Sequence, residues 1–155
     1  MRVGIGHDAH CLVEGRPLFL GGVEVPHSKG LLGHSDGDCL IHAVIDALFG
    51  AACCGDIGVH FPPSDGKYKG IYSIELLREA VKIIYENGYK IENIDATVVA
   101  QAPKLSPYIL QMREKIAEAC GTEIGRISVK ATTTERMGYE GREEGISATA
   151  VCLLI

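Results

Sequence analysis

The opening residues, MRVGIGHDAH, set Asp8 and His10 two positions apart inside a run that otherwise reads as a buried strand. Successive side chains of an extended chain point to opposite faces, so Gly6, Asp8 and His10 share one face and Val3, Ile5 and His7 the other. Asp8 and His10 can therefore converge on one object. A third partner comes from HSDGDCLIHAVIDALFGAA, where Asp38, His42 and Asp46 fall at i, i+4 and i+8 and line one stripe of a helix. One carboxylate and two imidazoles supply three ligands of a tetrahedral metal. The fourth position stays open for water or substrate, as in catalytic zinc sites. The same donors also suit manganese, iron or cobalt. His7 is the rival ligand, but alternation sends it to the far face, where packing or an interface is its role. Asp38 belongs to the helix start, and Asp46 is placed to orient His42 or to meet a ligand hydroxyl.

A second constellation lies in the C-terminal half. The run AQAPKLSP sets Lys104 just before a helix start, and KATTTERMGYEGREEG brings Thr132, Thr133, Thr134, Glu135 and Arg142 after a strand. Hydroxyls, backbone N–H groups and a lysine suit phosphate oxygens, and a carboxylate among them suits a magnesium ion bridging two phosphates. Taken singly, three threonines are ordinary β-rich sequence and a loop lysine is ordinarily solvated. His34 and Ser35 stand at the positive end of the helix that carries His42, another place for an anion, although Ser35 also serves as a cap. No P-loop, G-x-S-x-G or G-x-G-x-x-G motif is present.

The elements that must position these residues follow from period and punctuation. Residues 2–10 read as a strand, and PLFLGGVEVP as a hairpin turning at Gly21 and Gly22. Leu40, Ile41, Val44, Ile45, Leu48 and Phe49 recur at helical spacing. The spacing predicts a helix over 36–52, with Ser35 capping and Asp38 in the capping-box position. CGDIGVHFPPSDGKYKG has no period and reads as a loop long enough to be a lid. A helix follows Ser73 through Leu76, Leu77, Ala80, Val81 and Ile84 and stops at Asn87 and Gly88. After strand-like IDATVVAQA comes a third helix, with Ser106 as cap, Pro107 in the first turn, Ile109, Leu110, Ile116 and Ala117 inward, and Gly121 as the stop. RISVKAT and ISATAVCLLI complete the strands. This alternation predicts an α/β (α+β) fold, one mixed sheet with helices packed on one face.

A chain of 155 residues, 46% hydrophobic, is the size of one domain spanning residues 1–155 and can bury a real core. Its formal net charge of -5 argues against an electrostatic hold on nucleic acid or anionic membrane, though not against a local phosphate pocket. The opening residues lack a secretory pattern, which points to a reducing cytosol. CLIHAVIDALFGAACC, broken by His42 and Asp46, is short for a bilayer span and reads as a core helix. Cys11, Cys39, Cys53, Cys54, Cys120 and Cys152 show no C-x-x-C spacing and are expected to be buried thiols.

Five separated blocks, in order and nearly end to end, carry a resemblance. GHDAH, GLLGHSDGDCLIHAVIDALFGAA, GDIGVHFPPSD, AQAPK and VKATTTERMGYEGREEGI resemble the 2-C-methyl-D-erythritol 2,4-cyclodiphosphate synthase family of the non-mevalonate isoprenoid pathway. The resemblance implies that Asp8, His10 and His42 bind zinc, and that His34 and Thr133 stabilise the transition state. It implies that Glu135 holds magnesium (or manganese) between the α and β phosphates. Lys104, with the main chain of Ala100, Gln101, Ala102, Pro103, Leu105 and of Ala131, Thr132, Thr133 and Thr134, would contact the cytidine diphosphate part. Asp56, Ile57, Gly58, Phe61, Pro62, Pro63, Ser64 and Asp65 would lie over the methylerythritol phosphate, near Ser35 and Asp46, with Tyr139 and Arg142 close by. The family is a homotrimer with each site between neighbouring subunits, bacterial and cytoplasmic or housed in a plastid. His7 and Tyr139 stand where the family often has phenylalanine. For His7 that changes the character of the channel along the trimer axis. Two other classes compete: a metal phosphohydrolase using the His7–Asp8 pair, and a non-enzymatic zinc-stabilised trimer that binds nucleotides. The first fits poorly, since HD pairs of that kind sit on helices. The second leaves the lid and Glu135 without a purpose.

Overall fold

In the computed structural model, which describes residues 1–155, the opening strand β1 spans Arg2–Glu14 and outlasts its expected end at residue 10. Its longer C-terminal end has a partner that the sequence pattern did not announce. Strand β4 (Lys29–Leu31) pairs antiparallel with it, Leu12 facing Leu31. Between them, β2 (Leu18–Leu20) and β3 (Val23–Val25) form the expected hairpin, a separate two-stranded sheet. Gly21 and Gly22 turn it at φ of 62° and 74°. Two consecutive positive φ values are what a two-residue hairpin turn requires, and glycine adopts them without a Cβ clash.

The main sheet has the order β4-β1-β7-β5-β6, with β5 (Ile91–Val99), β6 (Ile127–Thr132) and β7 (Gly145–Leu154). The β5–β6 pair is parallel, and the β1–β7 and β5–β7 pairs are antiparallel, so the sheet is mixed as expected. Helix α1 (Cys39–Ala52) lies across β1 and β7. Its approach depends on two glycines. A Cβ on Gly4 would sit 2.0 Å from the Ala47 carbonyl oxygen, and one on Gly6 would sit 2.1 Å from that of Ala43. Both are far inside contact distance, so the glycines let helix backbone lie directly on strand backbone.

Helix α1 begins at Cys39, three residues later than its period suggested. Gly37 is left-handed at φ 77°, which ends any helical path before it. Asp38, not Ser35, caps the helix: its carboxylate accepts from the Ile41 N–H at 3.1 Å. Asp38 is fully buried, and it also accepts from Gly21 N at 3.0 Å and Gly22 N at 2.7 Å. One side chain thus starts the helix and ties the hairpin to it.

Helix α1 is buried nearly all round, between the sheet and α3 (Ser73–Glu86), which contributes the expected Leu76, Leu77, Ala80, Val81 and Ile84. These belong to a core of 41 buried side chains. Each large aliphatic so buried contributes about 1.5–3 kcal/mol. The stretch read as a featureless lid contains a short helix, α2 (Ile57–His60), capped by Asp56. It also contains a 3-10 turn at Gly66–Tyr68 capped by Asp65. Helix α4 (Ile109–Cys120) also corrects its expected start. Ser106 makes no cap, because residues Ser106–Tyr108 close a 3-10 turn in which Tyr108 N donates to the Leu105 carbonyl. On α4 Ile116 and Ala117 are buried and Ile109 half-buried as expected, but Leu110 is exposed and Met112 takes the inward position instead. The last helix, α5 (Gly138–Gly141), is a single turn.

All the large helices cover one face of the sheet. The other face shows Val3, Ile5 and Val151 to solvent, at 69%, 70% and 40% exposure. Cys39, Cys120 and Cys152 are buried and Cys54 half-buried, but Cys11 and Cys53 are exposed, against expectation. No helix is long and apolar enough to cross a membrane.

Candidate active site

Alternation along β1 holds: Asp8 and His10 face α1, and His7 lies on the exposed face with its Nδ1 2.9 Å from Thr149 Oγ1. Helix α1 presents His42 to the same spot. His10 Nε2 is 2.9 Å from Asp8 Oδ2, His42 Nδ1 is 3.0 Å from the same oxygen, and the two nitrogens are 3.2 Å apart. Four donors about 2.0–2.1 Å from a tetrahedral zinc are separated by about 3.3 Å, so the three atoms already form nearly one face of that tetrahedron. The donor set fits a divalent metal. Burial opposes the charge on Asp8, yet hydrogen bonds and charge from His10 and His42 outweigh it and hold the carboxyl well below the usual range. His10 is shifted up, chiefly by its hydrogen bond to Asp8. A carboxylate is therefore kept ionised at the centre of the cluster.

The cluster opens into a cavity of about 230 Å³ lined also by His34, Ser35, Ile57, Gly58, Phe61, Pro63, Tyr68 and Leu76. Most were expected there; Tyr68 and Leu76 were not. The exposed His34 side chain stands on a loop whose carbonyl accepts from Gly70 N, which ties it to the far end of the lid. Ser35, freed from capping, turns its hydroxyl inward to 3.2 Å from His42 Nε2. Asp46 makes no hydrogen bond to His42. Its carboxylate accepts from Ile57 N at 2.8 Å and so fastens the start of α2 to α1, while burial raises its pKa. The helix N-terminus already carries a negative charge, that of Asp38, which weakens the case for an anion there. Pro62, Ser64 and Asp65 belong to the lid but do not line the cavity.

Two residues at this centre escaped the sequence reading. Ser73, the buried first residue of α3, places its hydroxyl 2.9 Å from His42 Nε2 and donates to Asp36 Oδ1 at 2.5 Å. Asp36 also accepts from Ser73 N and Asp38 N. No local pattern could have announced this, since 37 residues separate the partners.

The phosphate-suited residues gather elsewhere. Ala100, Gln101, Pro103, Lys104, Leu105, Ala131, Thr132 and Thr133 line a separate cavity of about 300 Å³ with Ser106, and Ala102 lies in the same loop. Beyond it Thr133 Oγ1 donates to Glu135 at 3.0 Å, and Gln101 accepts from Arg136 N at 3.1 Å. Glu135 and Arg136 both have positive φ, 53° and 67°, and their backbone N–H groups are already spent, on Thr133 Oγ1 at 3.2 Å and on Gln101. Thr134 follows Thr133 in this loop. Tyr139 lines a third hollow, with Ala9, His10 and Cys11, behind the metal cluster, and the exposed Arg142 is paired with Glu144 at 2.9 Å. Asp8, Ala148, Val98 and Ala131 lie in one row across β1, β7, β5 and β6. Three strand spacings therefore separate the backbone at Asp8 from that at Ala131, where the threonine run begins, by about 14 Å.

With both sites described, the comparisons are specific: a model of the YgbB family matches residues 1–155. The chain belongs to the YgbB family. Within that family it is 57% identical to a 2-C-methyl-D-erythritol 2,4-cyclodiphosphate synthase of Desulfitobacterium hafniense, covering 100% of this chain and 98% of the relative. The structure of the bifunctional IspDF from Campylobacter jejuni aligns with a TM-score of 0.95 at 44% identity, covering 99% of this chain and 42% of that one. A 2C-methyl-D-erythritol-2,4-cyclodiphosphate synthase solved in its CDP-bound form aligns at 0.91 and 36% identity, over 99% of this chain and 100% of that one. The YgbB match thus spans the metal cluster, the lid and the threonine loop alike.

Proposed function

We propose that this chain cyclises 4-diphosphocytidyl-2-C-methyl-D-erythritol 2-phosphate to 2-C-methyl-D-erythritol 2,4-cyclodiphosphate and releases CMP. The observation that carries the reading is the convergence of Asp8, His10 and His42 in a chain 57% identical, end to end, to a protein of that name. An oxygen of the substrate's 2-phosphate attacks the β-phosphorus, and the bond from that phosphorus to the bridging oxygen breaks. CMP leaves with the bonding pair. No protein nucleophile is needed; the chain's task is to fold one flexible molecule so that its ends align, and to absorb developing charge. Zinc on Asp8, His10 and His42 and magnesium on Glu135 would supply Lewis-acid stabilisation of the phosphoryl oxygens. His34 would steady the attacking phosphate, Thr133 the diphosphate, and Lys104 with the loop beside it the cytidine portion. The lid, fastened by Asp46, would exclude water that could otherwise attack in place of the internal phosphate.

The 14 Å gap within one chain is the reason to place each site between two subunits of a homotrimer, the metal cluster of one facing the threonine loop of the next. The uncovered sheet face, with Val3, Ile5 and Val151, suits burial against those neighbours. On this reading the enzyme works in the cytoplasm of a bacterium or in a plastid. The hydrolase reading loses its pair, since His7 and Asp8 point to opposite faces of β1. The test is phosphorus NMR on the protein with the cytidine substrate, zinc and magnesium. The cyclic diphosphate should appear together with CMP. A linear hydrolysis product, or unchanged substrate with a folded, metal-loaded protein, would overturn the reading.

A further inference from the structure

The proton on His42 has to be on one particular nitrogen for the metal cluster to work, and two residues outside the cluster are arranged to decide which. Ser73 has a single hydroxyl proton and three polar neighbours: Asp36 Oδ1 at 2.5 Å, His42 Nε2 at 2.9 Å and Ser35 Oγ at 3.2 Å. A carboxylate only accepts, so that proton goes to Asp36. Ser73 Oγ is then left as an acceptor facing His42 Nε2, which must carry N–H to meet it. In a neutral imidazole this leaves the lone pair on Nδ1, the atom 3.0 Å from Asp8 Oδ2 and 3.2 Å from His10 Nε2.

The opposing pull is also present. Asp8 would itself attract an N–H to His42 Nδ1, and a proton held there must be displaced before the nitrogen can bind a metal. Ser35 does not settle the contest, because its hydroxyl, which accepts from Gly37 N, can point to either neighbour. Asp36 does. It is locked by two backbone N–H groups, those of Ser73 and Asp38, so it cannot turn away to let the Ser73 hydroxyl reverse.

We infer that Asp36 and Ser73 are positioning residues that hold the His42 proton on Nε2 and so keep Nδ1 free as a metal donor. The inference rests on the metal reading above and deepens it: the affinity of the cluster is set partly by a hydroxyl on another helix and a carboxylate on the loop before α1. Outer partners of this type typically change metal affinity 10–100-fold.

The test uses the full-length protein in two states. In metal-free protein at alkaline pH, nitrogen-15 NMR of the imidazole rings should show His42 with its proton on Nε2. In Ser73→Ala the proton should move to Nδ1, and zinc affinity, measured by competition with a chromophoric chelator, should fall about 10–100-fold. Asp36→Asn, which keeps the shape and removes the charge, should shift both readouts in the same direction, while Ser73→Thr, which keeps the hydroxyl, should retain the wild-type tautomer. A wild-type His42 protonated on Nδ1, or Ser73→Ala and Asp36→Asn that bind zinc as wild type does, would overturn the inference. Both readouts use the protein and zinc alone, so they stand apart from product formation, which tests the cyclisation separately.

Discussion

His42 links the metal cluster to the hydrogen-bonded residues behind it, since one ring nitrogen faces Asp8 and His10 and the other faces Ser73. His42→Ala is expected to lose stoichiometric zinc and turnover while keeping its circular dichroism spectrum. Metal analysis showing full zinc occupancy would remove His42 from the ligand set. Glu135 is distinguishable from that set because it sits beyond the threonine loop, bonded to Thr133. Glu135→Gln should retain zinc, yet its turnover should respond far less to added magnesium than wild type does; an unchanged titration would count against its role. At this scale the sequence was most informative. Strand alternation put Asp8 and His10 on one face, and the i, i+4 stripe put His42 on a polar face of its helix. That the two faces meet was implied by the family resemblance and is shown by the packing of α1 on β1. Asp36 and Ser73 obeyed no such rule.

At the scale of elements, the packing of α1 on β1 decides whether the ligands can meet, and that packing rests on Gly4 and Gly6. Gly6→Ala would drive a Cβ against backbone of Ala43 and Ala47, which cannot move without shifting the helix. A loss of about 3 kcal/mol or more is expected from urea unfolding. Gly66→Ala, with open space around it, should change stability by less than about 0.5 kcal/mol. Comparable midpoints for the two variants would show that the close approach is not required. Asp38 is the other fixture, and its ionisation has a cost: burial, then the nearby Asp36 charge, pushes its carboxyl up to about 6. A raised carboxyl pKa means the folded state binds more protons, so this contribution is present at low pH and fades as pH rises through about 6. The stability of wild type relative to Asp38→Asn should therefore decline from about pH 4 to pH 7, and a rise over that range would contradict the assignment. The identities of the longer helices and strands were legible from period; the three-residue β4 and the four-residue α2 are too short to show one. The ends were not legible, because Gly37 and the Ser106–Tyr108 turn trade one local geometry for another without changing the hydrophobic pattern.

For the whole molecule, the separation of the metal cluster from the threonine loop is the dominant fact. If neighbouring subunits complete each site, two inactive variants should rescue one another. His42→Ala lacks the metal half, and Lys104→Ala with Thr133→Ala lacks the cytidine half. Subunits mixed in equal amounts and allowed to exchange should regain about a quarter of wild-type activity, the fraction of interfaces at which two intact halves meet. No recovery in mixed trimers would place both halves within one chain. Light scattering supplies the mass of the assembly independently.

Read without its structure, the chain already determined the types of its longer elements, the candidate metal donors on them and the composition of the threonine loop. Each of these follows from residue type at short spacing, where backbone geometry leaves few choices. Tertiary structure decided three things that short spacing does not encode. It assigned Asp38, rather than Ser35, to the helix cap and the hairpin, because only a buried carboxylate reaches three N–H groups at once. It brought Asp36 and Ser73 to the back of His42. It also set four strands in an order that keeps the two halves of the chemistry apart. Strand order and helix placement arise from burying one shared core, a property of the whole chain that no single stretch of it carries.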